Sequence, residues 1–267
     1  MPISSYALEI QGIEDKYQLN IEHHRNGYNR LAILHHGYLN HCRYLDVLAD
    51  KLNEWKYDVV CMDLPGHGKS SGEKFDIDHF KTYSIATKET IANIQGEYKE
   101  IVFIAHSTGA VGMTDLLLDQ EYIRVDKIIF IAPLIRSYLY RLSYWSWRIA
   151  GRVLPRLPVR PLGEVHPEYR ALVESDPHYP KTVPSHFAGE LFNWNLELEQ
   201  LVRKSEQEIF IFFGTQDTVI DTDYNRNFYQ THFPQAKIQE LQGSNHLFFH
   251  HNQNIREDFF SKLNNIL

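Results

Sequence analysis

Short apolar runs alternate along the chain with longer stretches in which apolar residues recur every three or four positions. The runs are rich in β-branched residues, as is typical of strands that are buried on both faces of a parallel sheet. They lie at 31–34, 57–62, 101–105, 127–132 and 209–213. The stretches with helical spacing lie at 43–55, 78–98, 109–120 and 222–233. This alternation predicts an α/β fold with a mostly parallel, doubly wound sheet.

Three further segments complete the predicted sheet. Polar and apolar residues alternate at 6–10 and 17–21, which predicts an antiparallel edge hairpin before the first parallel strand. A last strand at 237–241 precedes a terminal helix from about residue 254. The strand at 127–132 is then the sixth strand of the chain.

The alternation stops between residues 134 and 205. This stretch is rich in Arg, Pro, Tyr and Trp and contains no strand-like run, which predicts a helical insertion over the sheet. Such an insertion would lie above the carboxyl ends of the strands, where ligands bind in open α/β sheets. We therefore predict a core of residues 1–133 and 206–267, with a helical cap (lid) of residues 134–205 inserted after the sixth strand.

Composition limits the classes of protein that this chain can represent. A net charge of −7 argues against a nucleic-acid partner, because phosphate contacts require a basic surplus. Two cysteines, Cys42 and Cys61, are too few for a disulfide framework. The first residues lack the pattern of a signal peptide, and no stretch approaches the roughly 18 apolar residues of a membrane span. We expect a reducing, cytoplasmic location.

A serine stands at the junction between one predicted strand and the helix that follows it. The sequence there is Ala105-His-Ser-Thr-Gly109, with small residues two positions before and after Ser107. This pattern is typical of a nucleophile elbow, a tight turn that pushes the serine hydroxyl out of the top of a parallel sheet. The alternative is that Ser107 only caps a helix. Further residues have to decide between the two.

Two other predicted strand ends supply the groups that a nucleophilic serine requires, a base and an acid that orients it. Asp217 follows the strand at 209–213, and His246 follows the last strand. The chain order Ser107, Asp217, His246 predicts a catalytic triad. Asp221 is the alternative acid, and His250 or His251 are alternative bases.

An acyl-transfer site also needs donors for the oxyanion. His36-Gly37-Tyr38 follows the strand at 31–34, and Thr108 follows the candidate nucleophile. We predict that the backbone N–H groups of Tyr38 and Thr108 form the oxyanion hole. The alternative is that Gly37 only ends a strand in a turn.

Three segments together resemble one branch of a known family. They are His36-Gly-Tyr-Leu-Asn-His-Cys-Arg-Tyr44, Asp63-Leu-Pro-Gly-His-Gly-Lys-Ser-Ser-Gly72 and Ala105-His-Ser-Thr-Gly109. They resemble the monoacylglycerol lipase and lysophospholipase branch of the α/β-hydrolases, of serine aminopeptidase S33 type, in which similar segments recur in this order. The resemblance implies the α/β-hydrolase fold and its Ser-Asp-His order. The sequence departs from the branch at Asn40, Ala105 and Ala110, and Asp176-Pro177 is similar to a pair common in it.

Other motifs are rejected on their spacing. Gly68-Lys69-Ser70 resembles the end of a phosphate-binding loop, but Asp63 stands where that loop needs its first glycine. The glycines around it do not have the spacing of a dinucleotide-binding loop. The adjacent histidine pairs form no motif such as H-E-x-x-H, and neighbours on a strand point to opposite faces. We therefore expect no cofactor and no metal.

The first part of the predicted cap is positively charged, opposite in sign to the net charge of the chain. No acidic residue occurs from 127 to 163, and arginines alternate there with aromatic residues. These arginines are Arg136, Arg141, Arg148, Arg152, Arg156 and Arg160. Such a helix either rests on anionic lipid, or covers an acyl pocket with its aromatic face, or is a cap helix that is packed by its aromatic residues and has solvated arginines.

The sequence predicts a serine hydrolase that cleaves carboxylic esters through an acyl-enzyme on Ser107. Lipid-like monoesters such as lysophospholipids or monoacylglycerols are favoured as the small-molecule substrate. An acyltransferase and a small-ester carboxylesterase on the same residues are the alternatives. From another class, the alternative is a non-catalytic, ligand-binding α/β-hydrolase.

Overall fold

The computed structural model describes residues 3–94, 98–151, 153–159 and 165–267. Ten strands and eight α-helices form within these residues. The strands are β1 (Ile3–Gln11), β2 (Lys16–His24), β3 (Arg30–His35), β4 (Asp58–Met62), β5 (Glu100–His106), β6 (Lys127–Ile131), β7 (Arg156–Pro158), β8 (Thr182–Pro184), β9 (Phe210–Gly214) and β10 (Lys237–Leu241). The helices are α1 (Asp46–Glu54), α2 (Lys81–Ile94), α3 (Val111–Leu118), α4 (Tyr140–Ser146), α5 (Pro167–Glu174), α6 (Ser185–Glu199), α7 (Thr222–His232) and α8 (Gln253–Ile266).

Eight strands form one sheet in the order β1-β2-β4-β3-β5-β6-β9-β10. β1 and β2 pair antiparallel, as does β2 with β4, and all other neighbours in this sheet are parallel. Every residue of β4 is buried, as expected for a strand covered on both faces. The predicted α/β sheet with an antiparallel edge hairpin is confirmed.

The segment between β6 and β9 contains both helices and strands. We call residues 134–205 the cap, and its predicted boundaries with the core stay a prediction. It includes α4, α5 and α6, together with a π-helical turn at Trp147–Gly151. The expectation that no strand occurs here is wrong, because β7 and β8 form an antiparallel pair. Three-residue strands that contain proline show no periodicity in sequence, so they cannot be recognised before their partner is known. Arg152 and Arg160 lie outside the described residues.

The two cysteines form a disulfide that composition alone did not indicate. Cys42 lies in a short 3₁₀ helix, Cys42–Leu45, and Cys61 lies in β4, with their Cα atoms 5.7 Å apart. The bond ties the chain after β3 to the neighbouring strand. Across the described ranges, no helix has both the length and the apolar composition that a membrane crossing requires. The cytoplasmic location stays a prediction.

Candidate active site

Ser107 occupies a strained corner between β5 and α3. Its φ is +54°, a left-handed conformation that costs a non-glycine residue on the order of 1–3 kcal/mol. A 3₁₀ turn, Ser107–Ala110, leads into α3. A Cβ added to Gly109 would lie 2.6 Å from the carbonyl oxygens of His35 and His36, so only glycine fits there. The backbone therefore has the form that the elbow pattern predicts.

Asp217 and His246 form a buried carboxylate–imidazole pair. The Oδ2 atom of Asp217 lies 2.6 Å from Nδ1 of His246, and the Asp217 side chain is completely inaccessible to solvent. The other carboxylate oxygen accepts the N–H groups of Val219 and Ile220 at 2.8 and 3.3 Å. Because a carboxylate only accepts hydrogen bonds, Nδ1 of His246 is the donor and Nε2 is left to accept a proton.

The two expected oxyanion donors flank the serine. Gly37 packs so closely on the elbow that a Cβ there would lie 2.9 Å from Nδ1 of His106 and 3.1 Å from Cβ of Ser107. This contact places the adjacent Tyr38 backbone next to the nucleophile candidate. Thr108 is in the first turn of the 3₁₀ helix, where backbone N–H groups have no acceptor within the helix.

A cavity of about 580 Å³ connects these residues. Ser107, Tyr38 and His246 all line it, whereas Asp217 lies behind His246. The cap supplies much of the remaining wall, and its residues there are mainly apolar or aromatic. They include Tyr138, Pro158, Val159, Val165, Tyr169, Tyr179 and Val183. No Asp, Glu, Lys or Arg is found among the described residues that line this cavity.

Several histidines around the site are buried and neutral. Burial lowers the pKa of His36 and of His67 to about 3. His36 donates from Nδ1 to the carbonyl of Gly37 and accepts the N–H of Leu64 at Nε2. His106 donates from Nε2 to the carbonyl of His246 at 3.1 Å. The hydrogen bonds of these side chains therefore hold loops in place. The described residues contain no cluster of three metal-ligating side chains.

The alternative acid and base have other partners in the structure. Asp221 accepts the N–H of Tyr224 at the start of α7. His250 donates from Nε2 to the carbonyl of Tyr44. Neither residue lines the cavity that contains Ser107.

Sequence reasoning missed the role of Asp176 in the architecture of the site. Its carboxylate lies in the cap but accepts the hydroxyl of Tyr44, next to the segment that carries Tyr38. The only sequence signal was the Asp176-Pro177 pair that is common in the branch.

The mostly parallel sheet, with a serine at the sharp corner after β5, is the architecture of an α/β-hydrolase. The sequence model of one hydrolase family within this fold, the serine aminopeptidase S33 family, matches residues 28–253. The chain belongs to this family.

Individual relatives point to the same branch. The chain is 23% identical over 229 residues to a monoglyceride lipase homolog of monkeypox virus, and the match covers 81% of each chain. It is 30% identical over 107 residues to rat (Rattus norvegicus) monoglyceride lipase, with 39% of this chain and 35% of that protein covered. A soluble variant of monoglyceride lipase from Saccharomyces cerevisiae has a similar fold, with a TM-score of 0.77, 15% identity and coverage of 98% of this chain and 94% of that one. The resemblance to the monoacylglycerol lipase branch is thereby confirmed.

Proposed function

We propose that this hydrolase cleaves lipid-like carboxylic monoesters through an acyl-enzyme on Ser107. The observation that carries the proposal is the shared cavity, in which a strained serine and a histidine held by a buried carboxylate meet apolar walls from the cap. An apolar wall suits an acyl chain, and the serine and histidine are the two groups that ester cleavage requires.

Each group has one role in the proposed reaction. Oγ of Ser107 attacks the ester carbonyl carbon while Nε2 of His246 takes its proton, and Asp217 holds the imidazole in the required tautomer. The N–H groups of Tyr38 and Thr108 stabilise the negative oxygen of the tetrahedral intermediate. His246 then gives its proton to the leaving alcohol, and a water molecule releases the acid by the same steps in reverse.

The described lining of the cavity has no charged side chain, which favours a neutral ester among the candidate substrates. A lysophospholipid has a phosphate that would lose its hydration there, the described lining offers it no cation, and burying an unpaired charge is costly. An aminopeptidase substrate has a free ammonium group, for which the described lining offers no carboxylate. A monoacylglycerol-type ester has only hydroxyl groups beside its acyl chain, so it meets neither penalty.

The outer face of the cap is suited to an anionic lipid surface. Leu142, Trp145, Ile149 and Val153 recur at helical spacing and are 61–78% exposed. We call these four residues the apolar stripe. The exposed Arg141 and Arg148 flank it and form no ion pair within the described part of the chain. Apolar side chains beside unpaired cations match the chemistry of an anionic bilayer. Such contact would bring the cavity to the source of a lipid ester.

The test is hydrolysis of a substrate panel by the parent and by Ser107→Ala. The panel contains p-nitrophenyl esters of graded chain length, monoacylglycerols and lysophospholipids. Removing the nucleophile should lower kcat by roughly 10⁴–10⁶ on every substrate that the parent cleaves. Ser261→Ala, an exposed serine on α8, is the matched control and should retain full activity.

Two further assays distinguish the alternative functions. A fluorophosphonate should label the parent but not Ser107→Ala, whereas a non-catalytic ligand-binding protein would not be labelled. Transfer of the acyl group to an added alcohol in preference to water would identify an acyltransferase. Ser107→Ala activity within tenfold of the parent on every ester would refute the proposal.

A further inference from the structure

The segment that carries one proposed oxyanion donor needs support from its surroundings. We call residues 37–41 the oxyanion segment, which runs from the end of β3 to the 3₁₀ helix Cys42–Leu45. Leu39 within it has a φ of +69°, in the left-handed region that non-glycine residues avoid. A backbone of this kind persists only where neighbouring groups hold it.

The core holds the two ends of this region. At the start, Nδ1 of His36 donates to the carbonyl of Gly37 at 2.8 Å. At the far end, the N–H of Cys42 donates to Asp63 at 2.8 Å, and His250 donates to the carbonyl of Tyr44 at 2.7 Å. Between these anchors, the hydroxyl of Tyr38 donates to the carbonyl of Phe75 in the core at 2.7 Å, and further contacts come from the cap.

The cap contacts the middle of the oxyanion segment with two aromatic side chains. The ring of Tyr38 stacks on Phe187 of α6, with centroids 3.8 Å apart and planes 13° from parallel. The hydroxyl of Tyr169, on α5, lies 3.4 Å from Oδ1 of Asn40. The cap therefore contacts the donor residue itself as well as the turn that follows it.

A cap carboxylate, Asp176, holds the far end of the segment. Its Oδ2 atom accepts the hydroxyl of Tyr44 at 2.8 Å and lies 3.2 Å from Nε2 of His41, while Oδ1 accepts the N–H of His178 at 2.8 Å. The side chain is only 5% exposed. Burial raises the pKa of Asp176, but the hydrogen bonds from His178 and Tyr44 and the nearby His41 outweigh this effect and leave that pKa below its ordinary value. The group is thus a charged acceptor.

We infer that Asp176 is a positioning residue, which holds His41 and Tyr44 from the cap and so fixes the direction of the Tyr38 N–H. The inference rests on the proposed serine-hydrolase function. A donor that has moved by about 1 Å loses much of its stabilisation of the transition state, although the substrate still binds. Losing Asp176 should therefore lower kcat more than it changes KM.

The experiment measures kcat and KM on p-nitrophenyl acetate, a short soluble ester. Asp176→Ala should lower kcat about tenfold or more, with KM within about twofold of the parent. Affinity for a trifluoromethyl ketone, whose adduct places an oxyanion in the same site, should fall by a similar factor. Asp176→Asn keeps the shape of the side chain but only one acceptor oxygen, so either His178 or the Tyr44 and His41 pair loses its acceptor, and kcat should lie between those of the parent and of Asp176→Ala.

Two further variants guard against a folding artefact. Tyr44→Phe removes one hydrogen bond to Asp176 from the core side and should lower kcat about threefold. Glu174→Ala, an exposed acid on α5, should match the parent. Thermal unfolding shows whether each variant is folded, and Tyr44→Phe carries the test if Asp176→Ala is not.

The outcomes distinguish this inference from the proposed function. If the parent does not cleave the ester, or if Ser107→Ala cleaves it equally well, the proposed function fails and this inference fails with it. If the parent is active and folded Asp176 and Tyr44 variants keep parental kcat and ketone affinity, only this inference is refuted. A change in KM alone would also refute it, because Asp176 would then act on binding.

Discussion

At the scale of single residues, the pairing of Asp217 with His246 fixes the orientation of the imidazole ring. A carboxylate with no exposure to solvent, bonded to an imidazole and to two backbone N–H groups, fixes both its own orientation and that of the ring. Fixing the ring leaves Nε2 as the nitrogen that can accept a proton, in a residue that lines the same cavity as Ser107. Groups that act as one unit lose activity together rather than additively.

We predict that His246→Ala and Asp217→Asn each lower kcat by about 10⁴ on short esters. His246→Ala removes the base, and Asp217→Asn favours the wrong tautomer of the ring. Combining either change with Ser107→Ala should produce no further loss. Steady-state kinetics of the single and double variants, with folding checked by circular dichroism, makes the measurement.

The alternative acid and base supply the controls. Asp221→Asn keeps a side-chain acceptor at the start of α7, and the half-buried His251 does not line the cavity. Both Asp221→Asn and His251→Ala should stay within about threefold of the parent. A large loss in either of them, with His246→Ala active, would show that the acid or the base was placed wrongly.

Sequence alone located residues that lie at strand ends, because parallel strands bring their carboxyl ends to one edge of the sheet. Ser107, Asp217 and His246 were proposed as site residues in this way, and the structure puts all three near one cavity. The contact of Asp176 with Tyr44 was not predicted, since the two residues are 132 positions apart and neither belongs to a periodic pattern. Contacts of this kind depend on how the cap packs on the core, which local sequence does not encode.

At the scale of elements, the first helix of the cap has two different faces. Tyr140, Tyr144 and the following Trp147 all pack on the ring of Phe192 in α6. The apolar stripe lies on the exposed side. Part of the aromatic content thus packs the cap, as one of the alternatives expected, and part of it faces outward.

We predict that replacing Leu142, Trp145 and Ile149 together with Ser lowers binding to anionic vesicles at least tenfold. Each apolar side chain that is buried in the bilayer contributes on the order of 1.5–3 kcal/mol to binding. The loss of three such side chains should therefore weaken binding more than tenfold, even if each is only partly inserted into the bilayer. Cosedimentation with phosphatidylserine-containing vesicles measures binding, and activity on p-nitrophenyl acetate should not change.

The flanking cations provide the matched comparison. Arg141→Gln with Arg148→Gln should weaken binding at low salt, with a smaller effect at high salt, because screening removes the attraction. Equal vesicle binding by the parent and by both sets of variants, at either ionic strength, would leave this face as ordinary solvated surface.

Strands could be predicted from sequence where burial imposes a regular pattern of apolar residues. The five parallel strands expected from apolar runs all occur, each close to its predicted position. The pairing of β7 with β8 was not predictable, because it depends on which distant segments the cap brings together. The edge hairpin was found since its alternation has a period of two over both strands.

At the scale of the whole molecule, a buried acid joins the core to the cap. Asp115 on α3 accepts the indole N–H of Trp194 on α6 at 2.8 Å and the hydroxyl of Ser84 on α2 at 3.1 Å. Burial raises the pKa of Asp115 from 3.8 to about 7. Between about pH 4 and pH 7 the folded protein therefore keeps a proton that the unfolded chain releases. The contribution of Asp115 to the free energy of unfolding is greatest below that interval and falls as pH rises through it.

Asn at this position cannot ionise. We therefore predict that the free energy of unfolding of Asp115→Asn increases relative to that of the parent as pH rises. The difference in free energy of unfolding between variant and parent should grow by on the order of 2 kcal/mol from pH 5 to pH 8. Denaturant unfolding of both proteins at the two pH values gives this difference. Asp119→Asn, an exposed acid paired with Arg203, should show no such growth. A difference that is equal at both pH values would contradict the assignment.

The order of strands in space is a property of the whole chain that sequence periodicity did not supply. β4 lies between β2 and β3, so the hairpin joins the sheet through an antiparallel pair with the second parallel strand. General rules of connection narrow the choices, but the pairing itself follows from packing between segments far apart in sequence.

The disulfide between Cys42 and Cys61 also restricts the unfolded chain. It closes a covalent ring across 19 positions, which removes extended conformations from the denatured ensemble. Loop-closure entropy puts the resulting stabilisation at about 3 kcal/mol, a sizeable share of the 5–15 kcal/mol typical of a domain. Reduction would return those conformations without breaking any hydrogen bond of the folded state. The fraction of molecules that stay folded is therefore linked to the thiol–disulfide balance of the surroundings.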